Sequence, residues 1–188
     1  MTEQRSTPKV RYVRGRPDSD ELRSLLGSLL AAEVLSPSNC LWLVSPWVGD
    51  PPILDNRPGT FSAVEPDWPR EVIRLHATLE SILRRGGRLV AATKPAASQP
   101  YNRGFTAAVR RWRELGLAAV LRESEELHEK GMLGDGFFLF GSMNFTDTGV
   151  ERAEELVSLR TDNETLAYHR RALADRWGGR DAAEGEVT

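Results

Sequence analysis

The sequence predicts an α/β domain, a mixed β-sheet with helices on both faces. Short apolar runs of strand length alternate along the chain with longer stretches whose apolar residues recur at helical spacing. Late in the chain, two strand-like runs flank Gly134-Asp135-Gly136, and Asp-Gly between such runs marks a hairpin. Alternating strands and helices followed by a hairpin give a sheet with both parallel and antiparallel pairs. A length of 188 residues, 40% hydrophobic and 28% charged, suits one globular domain with a sizeable core.

The elements follow in order. Residues 1–17 are polar, hold Pro8 and Pro17, and read as a tail. Residues 18–35 place Leu22, Leu25, Leu26, Leu29 and Leu30 at helical spacing behind Asp18 or Ser19 as cap. Residues 41–44 are a short apolar run ended by Ser45-Pro46, a buried strand. Residues 48–69 hold five prolines and two glycines and read as a long irregular loop, a kind that is often functional. Residues 70–85 are an amphipathic helix through Val72, Leu75, Leu79, Ile82 and Leu83, ended by Gly86-Gly87. A strand over 88–93, a helix with a basic face over 102–115 and a strand over 117–121 come next. The hairpin strands are expected at 127–133 and 136–140, a further strand at 155–159, and a last helix at 163–177 before Gly178-Gly179. Residues 179–188 read as a disordered acidic tail, which leaves 18–178 as a single catalytic domain.

Composition narrows the function classes. A formal net charge of -2 gives no global basic field to attract nucleic acid. The charge is uneven, however: Arg103, Arg110, Arg111 and Arg113 fall in a stretch without acids. The single cysteine, Cys40, excludes an intrachain disulfide and fits a reducing cytoplasm. The opening residues show no apolar core, so no signal peptide is expected, and the longest apolar run, 40–44, is too short to span a bilayer. Lysine is rare: Lys9, Lys94 and Lys130 stand among 25 basic residues. A lysine kept against that background points to chemistry a guanidinium does not supply.

The chemistry concentrates in Leu127-His128-Glu129-Lys130-Gly131-Met132-Leu133-Gly134-Asp135 and in Gly141-Ser142-Met143-Asn144-Phe145-Thr146. On a strand, His128 and Lys130 share one face, and the hairpin returns Ser142 and Asn144 opposite them. An imidazole, an ammonium, a hydroxyl and a carboxamide in one area suit a phosphate diester. Lys130 supplies a compact charge for the non-bridging oxygens, Asn144 a neutral donor, and Ser142 an orienting hydroxyl. His128 can attack when neutral and donate a proton when charged. Glu155, on the next strand, is placed to hold the far ring nitrogen of His128.

His128-x-Lys130, four residues, Asp135, and then Gly141-Ser142-x-Asn144 resemble the signature of the phospholipase D superfamily. Leu41-Trp42-Leu43-Val44-Ser45-Pro46 resembles its first strand, Gly86-Gly87-Arg88-Leu89-Val90 its next, and Glu155 its later glutamate, with Glu154 the runner-up. The resemblance covers residues 20–177. It implies a phospholipase D-like α/β sandwich and a two-step transfer without metal or cofactor. One histidine attacks phosphorus to give a phosphohistidine; a second protonates the leaving oxygen and then activates water. A chain with one motif resembles small bacterial nucleases that build one composite site across a twofold axis, so a homodimer and a nucleic-acid substrate are implied. Two departures stand out: Ala153 where many members have a polar residue, and the proline-rich 48–69 segment. Two other readings stay open. One is a phospholipid phosphodiesterase or transferase, which would need an apolar entry surface. The other is a partner-gated subunit of a bacterial anti-phage or restriction system.

Other residues have plainer readings. Asp135 reads as a hairpin residue rather than a reacting group. His76 and His169 read as structural or exposed, and no cluster has metal-ligand spacing. Arg103 and Arg110 belong to a solvated helix face whose functional alternative is a phosphate footprint. Trp42, Trp47, Trp112 and Trp177 read as core, while Trp68, in the long loop, is the better base-stacking candidate. Asp55-Asn56-Arg57 reads as a turn, with a substrate-facing role as the alternative.

Overall fold

The computed structural model describes residues 10–15 and 20–178. Its main sheet has strands β1 (Val10–Gly15), β2 (Leu41–Val44), β5 (Leu89–Thr93), β6 (Ala119–Glu123), β7 (Gly131–Leu133), β8 (Phe138–Gly141) and β9 (Glu155–Arg160). Their spatial order is β1-β9-β8-β7-β2-β5-β6. β2, β5 and β6 are parallel; β2–β7, β7–β8, β8–β9 and β9–β1 are antiparallel. The expected mixed sheet is present. A separate two-stranded sheet pairs β3 (Pro52–Asp55) with β4 (Val72–Arg74).

Strand alternation sorts the core into two layers. Leu41 and Leu43 of β2 face α1 (Glu21–Leu35), α2 (Leu75–Arg84) and α3 (Arg103–Glu114), through residues such as Leu26, Leu79 and Phe105. Trp42 and Val44 face α4 (Asn163–Trp177), through Leu166, Leu173 and Trp177. Both faces of β2 are therefore covered, which is why its sequence is an unbroken apolar run. The α4 helix matches its expected span, with Asp162 capping it by accepting from Thr165 N.

Four local expectations are corrected. The helix expected over 70–85 begins only at Leu75, because Val72–Arg74 pair with β3 as β4. Residues 10–15, assigned to the polar tail, form the edge strand β1 against β9, with Val13 and Gly15 buried. The 48–69 segment is not wholly irregular, because Ile53 and Leu54 are buried in β3. The strand expected over 127–133 starts only at Gly131, so His128 and Lys130 precede it instead of alternating along it. Asp18, Ser19 and the acidic tail lie outside the described residues, and Asp20, at the start of α1, makes no side-chain cap bond.

Candidate active site

The parallel strands β2 and β5 end at Val44 and Thr93, beside the start of β7, the end of β8 and the start of β9. Loops leaving this end of the sheet enclose a cleft of about 400 Å³, lined in part by Trp47, Gln99, Tyr101, Asn144, Thr146 and Glu155. In open α/β sheets the carboxyl ends of the strands are where ligands sit, because the loops there can diverge around a crevice.

The hairpin brings the two motif halves together. Gly131 pairs with Phe140, and Gly141 N donates to Lys130 O at 3.3 Å, so Lys130 lies across from the residue before Ser142. Gly141 is required here, since a Cβ would collide with the Leu156 carbonyl of β9. His128 is exposed and Lys130 half-buried. Lys130 Nζ donates to the His128 carbonyl at 2.9 Å, which ties the ammonium to the histidine's own backbone.

Ser142 Oγ donates to Glu155 Oε2 and accepts from Leu156 N at 3.0 Å. The Glu155 carboxylate thus holds Ser142, and within this chain no hydrogen bond joins it to the His128 ring among the described residues. The expected Glu155–His128 pairing is therefore not formed. Glu154, the runner-up, is exposed. Asn144 is oriented by a residue that sequence reasoning missed. Ser45 Oγ lies 3.1 Å from Asn144 Oδ1 and 2.9 Å from the Trp47 carbonyl. With its oxygen toward Ser45, Asn144 keeps its amide N–H groups for an oxygen in the cleft. The available signal was Ser45-Pro46 at the carboxyl end of a buried parallel strand.

Asp135 sits at the opposite end of the hairpin. Its carboxylate accepts from Asn39 N at 2.8 Å and Asn39 Nδ2 at 2.7 Å, and its own N–H donates to Ser38 Oγ at 2.7 Å. Ser38 in turn donates to the buried Glu33, whose carboxyl is pushed above its ordinary range by burial. The residue locks the turn onto the α1–β2 connection and does not meet Lys130.

The substrate-binding candidates divide. Trp68 is buried and its Nε1 donates to Ser81 Oγ at 3.0 Å, so it cannot present a stacking face. That reading is corrected: α2 covers the ring. Trp47, expected in the core, is instead 44% exposed in the cleft. Arg103 and Arg110 are exposed. Arg103 follows the cleft loop directly; Arg110, seven residues later, stands roughly 10 Å further along the helix. Neighbouring Arg111 is committed to Glu80 at 2.8 Å. Asn56 is buried and accepts from Phe61 N at 2.8 Å, a loop-organising role, while Arg57 holds half-buried Asp55 down to about 2 through side-chain hydrogen bonds. His169 packs on Phe138 at 4.3 Å between ring centres.

Asn102 was also missed. Fully buried, it donates through Nδ2 to the carbonyls of Pro46 at 2.9 Å and Lys94 at 2.7 Å, and accepts from Val48 N at 3.0 Å. One side chain thus fastens the loop after β2 to the loop after β5, the two walls of the cleft.

Among the described residues no group of three or more His, Cys, Asp or Glu side chains is arranged to hold a metal ion, and no helix is long and apolar enough to cross a membrane. No protein-family model and no curated protein match the chain. Solved structures do. NucT from Helicobacter pylori is similar with a TM-score of 0.59 at 12% identity, covering 90% of this chain and 95% of its own. Nuc from Salmonella typhimurium, a phospholipase D family member, gives 0.58 at 14%, covering 92% and 96%. Phosphatidylserine synthase of Haemophilus influenzae Rd KW20 gives 0.56 at 14%, covering 94% of this chain and 40% of the other. The order of the sheet, its helical layers and these likenesses together establish that the chain has the phospholipase D-like fold.

Proposed function

We propose that the chain is a phosphodiesterase that cleaves nucleic acid without a metal, through a phosphohistidine on His128. The observation that carries this reading is the convergence at one sheet end. The Lys130 backbone bonds to Gly141, Ser142 is held by Glu155, and Asn144 is turned by Ser45 toward a cleft. These groups offer cationic and neutral donors to the non-bridging oxygens of a phosphate, where charge grows in the transition state. The His128 nitrogen attacks phosphorus and the leaving oxygen departs with a proton from a second imidazole. That second group is His128 of a second copy. Water, deprotonated by the same imidazole, then displaces the phosphoryl group from nitrogen.

A second copy also has a surface to bury. Tyr12 of β1 and Leu156 of β9 are 69% and 45% exposed and share one face of the sheet beside Glu155. A phospholipid substrate is the second reading, favoured by the likeness in fold to phosphatidylserine synthase. The deciding experiment incubates wild type and His128→Asn, in excess chelator, with single- and double-stranded DNA, RNA and phosphatidylcholine. We expect wild type to cleave a nucleic acid and the variant to be inert. Cleavage that needs added magnesium, or cleavage of the lipid alone, overturns the proposal.

A further inference from the structure

Of the groups proposed to face the phosphate, Asn144 lines the cleft, and His128, Lys130 and Ser142 lie outside its lining. On the side away from the hairpin its walls are Trp47, from the loop after β2, and Gln99 and Tyr101, from the loop after β5. Both rings are open to solvent, at 44% and 51% exposure. Neither is loosely held. Trp47 Nε1 donates to Gln99 Oε1 at 3.1 Å, which anchors the indole by one edge. Tyr101 lies against the backbone of Gly49, where an added Cβ would stand 2.9 Å from both its Cε1 and its Oη. Buried Asn102, the next residue, pins both loops to each other. Two aromatic rings are thus fixed before any ligand arrives, so little ordering cost remains to be met on binding.

The chemistry of the lining selects the occupant. Glu155 is its one charged group, and that carboxylate already accepts from Ser142. Trp47, Tyr101, Gln99, Asn144 and the hydroxyls of Thr146 and Thr148 make the rest neutral, aromatic and rimmed with amide and hydroxyl groups. A phosphate finds no cation there. A flat heteroaromatic ring finds stacking surface and hydrogen-bonding edges, in a volume within the range of small-ligand sites.

We propose that Trp47 and Tyr101 form a nucleobase subsite beside the scissile phosphate, and that the substrate is single-stranded at that position. This rests on the nucleic-acid reading above and deepens it. A base inside a duplex has its faces covered by its neighbours and its pairing edge occupied, so it reaches this subsite only when unstacked. Asn144 belongs to both regions, which sets the base and the phosphate in adjacent positions on one strand.

The test measures binding with full-length His128→Asn protein, which leaves the strand intact. A labelled single-stranded oligonucleotide is compared by fluorescence anisotropy with one of equal length bearing abasic sites, with the matching duplex, and with phosphatidylcholine vesicles. We expect the base-bearing strand to bind about tenfold more tightly than the abasic strand, within the range for base–aromatic stacking. Adding Trp47→Ala should bring that ratio near unity, and Trp47→Phe should keep most of it, with thermal melts confirming that each variant folds. Equal binding of the two strands, tighter binding of the duplex, or a ratio that Trp47→Ala leaves unchanged would overturn the subsite and leave the nuclease reading standing. Binding of neither strand, with or without capture of vesicles, would overturn both.

Discussion

At the scale of single residues, side-chain type was legible and side-chain partnership was not. His128, Lys130, Ser142 and Asn144 stand out by type and spacing, because the proposed attack on a phosphate diester needs a nucleophile and donors of those kinds. The partner of Glu155 did not. A carboxylate beside a hydroxyl and an imidazole can hold either, and the register of β8 on β9 decides for Ser142. Lys130 carries the sharpest residue-scale expectation. Its ammonium keeps two N–H donors after one bonds the His128 carbonyl, whereas a guanidinium offers a planar, delocalised fork in place of that compact charge. Lys130→Arg should fold normally and lose about 10²-fold in kcat, the order reported for removal of one transition-state donor. Steady-state kinetics on a chromogenic phosphodiester, beside a thermal melt, check this; wild-type rates would remove Lys130 from the phosphate site.

At the scale of elements, patterns with many apolar positions read correctly, and short or proline-broken ones did not. β2 and α4 were placed within a residue because burial imposes long apolar or periodic runs. β1 escaped because an edge strand with one covered face needs little apolar sequence, and Val13 is its main inward side chain. β3 escaped because Pro51 precedes it and Pro52 opens it, yet a strand in a two-stranded sheet tolerates proline where no partner needs its N–H. The start of α2 carries a pH dependence. His76 N donates to Asp50 Oδ1 at 2.7 Å, and its ring packs against Phe105 and Trp112 with Nε2 buried and unpartnered. Burial pushes His76 below its ordinary value of 6.5, against the opposing pull of Asp50. The unfolded chain therefore takes up this proton more readily than the folded one. Stability should be full above the ordinary histidine value and fall as pH drops through it. Denaturant midpoints at pH 7.5 and 5.5 should differ in that direction, and His76→Phe, which keeps the ring packing, should shrink the difference. A midpoint difference as large in His76→Phe as in wild type would assign the effect to other groups.

At the scale of the whole molecule, the proposed mechanism needs two histidines where each chain supplies one motif. If the site is shared across a twofold axis, a dimer with one His128→Asn chain lacks its pair. Wild-type and variant chains mixed equally, unfolded and reassembled at random give about one all-wild-type dimer in four. Specific activity should then fall to roughly a quarter of that of the same mass of wild type, whereas independent sites would leave about half. Differently tagged chains would confirm exchange, and a value near half would make each chain a complete catalyst.

The sequence by itself determined the fold class, the presence and order of the helices, and the hairpin. Each depends on neighbours within about one element, where periodicity and turn chemistry act directly. Only the tertiary structure decided which side chains share a cleft. Trp47 meets Gln99 across 52 residues of chain, and Val48 meets Asn102 across 54. Trp68 and Trp47 are the same residue type in comparable loop sequence, yet α2 packs over one and leaves the other open. Such pairings depend on how distant loops close over the ends of the sheet, and no local pattern in the chain encodes that closure.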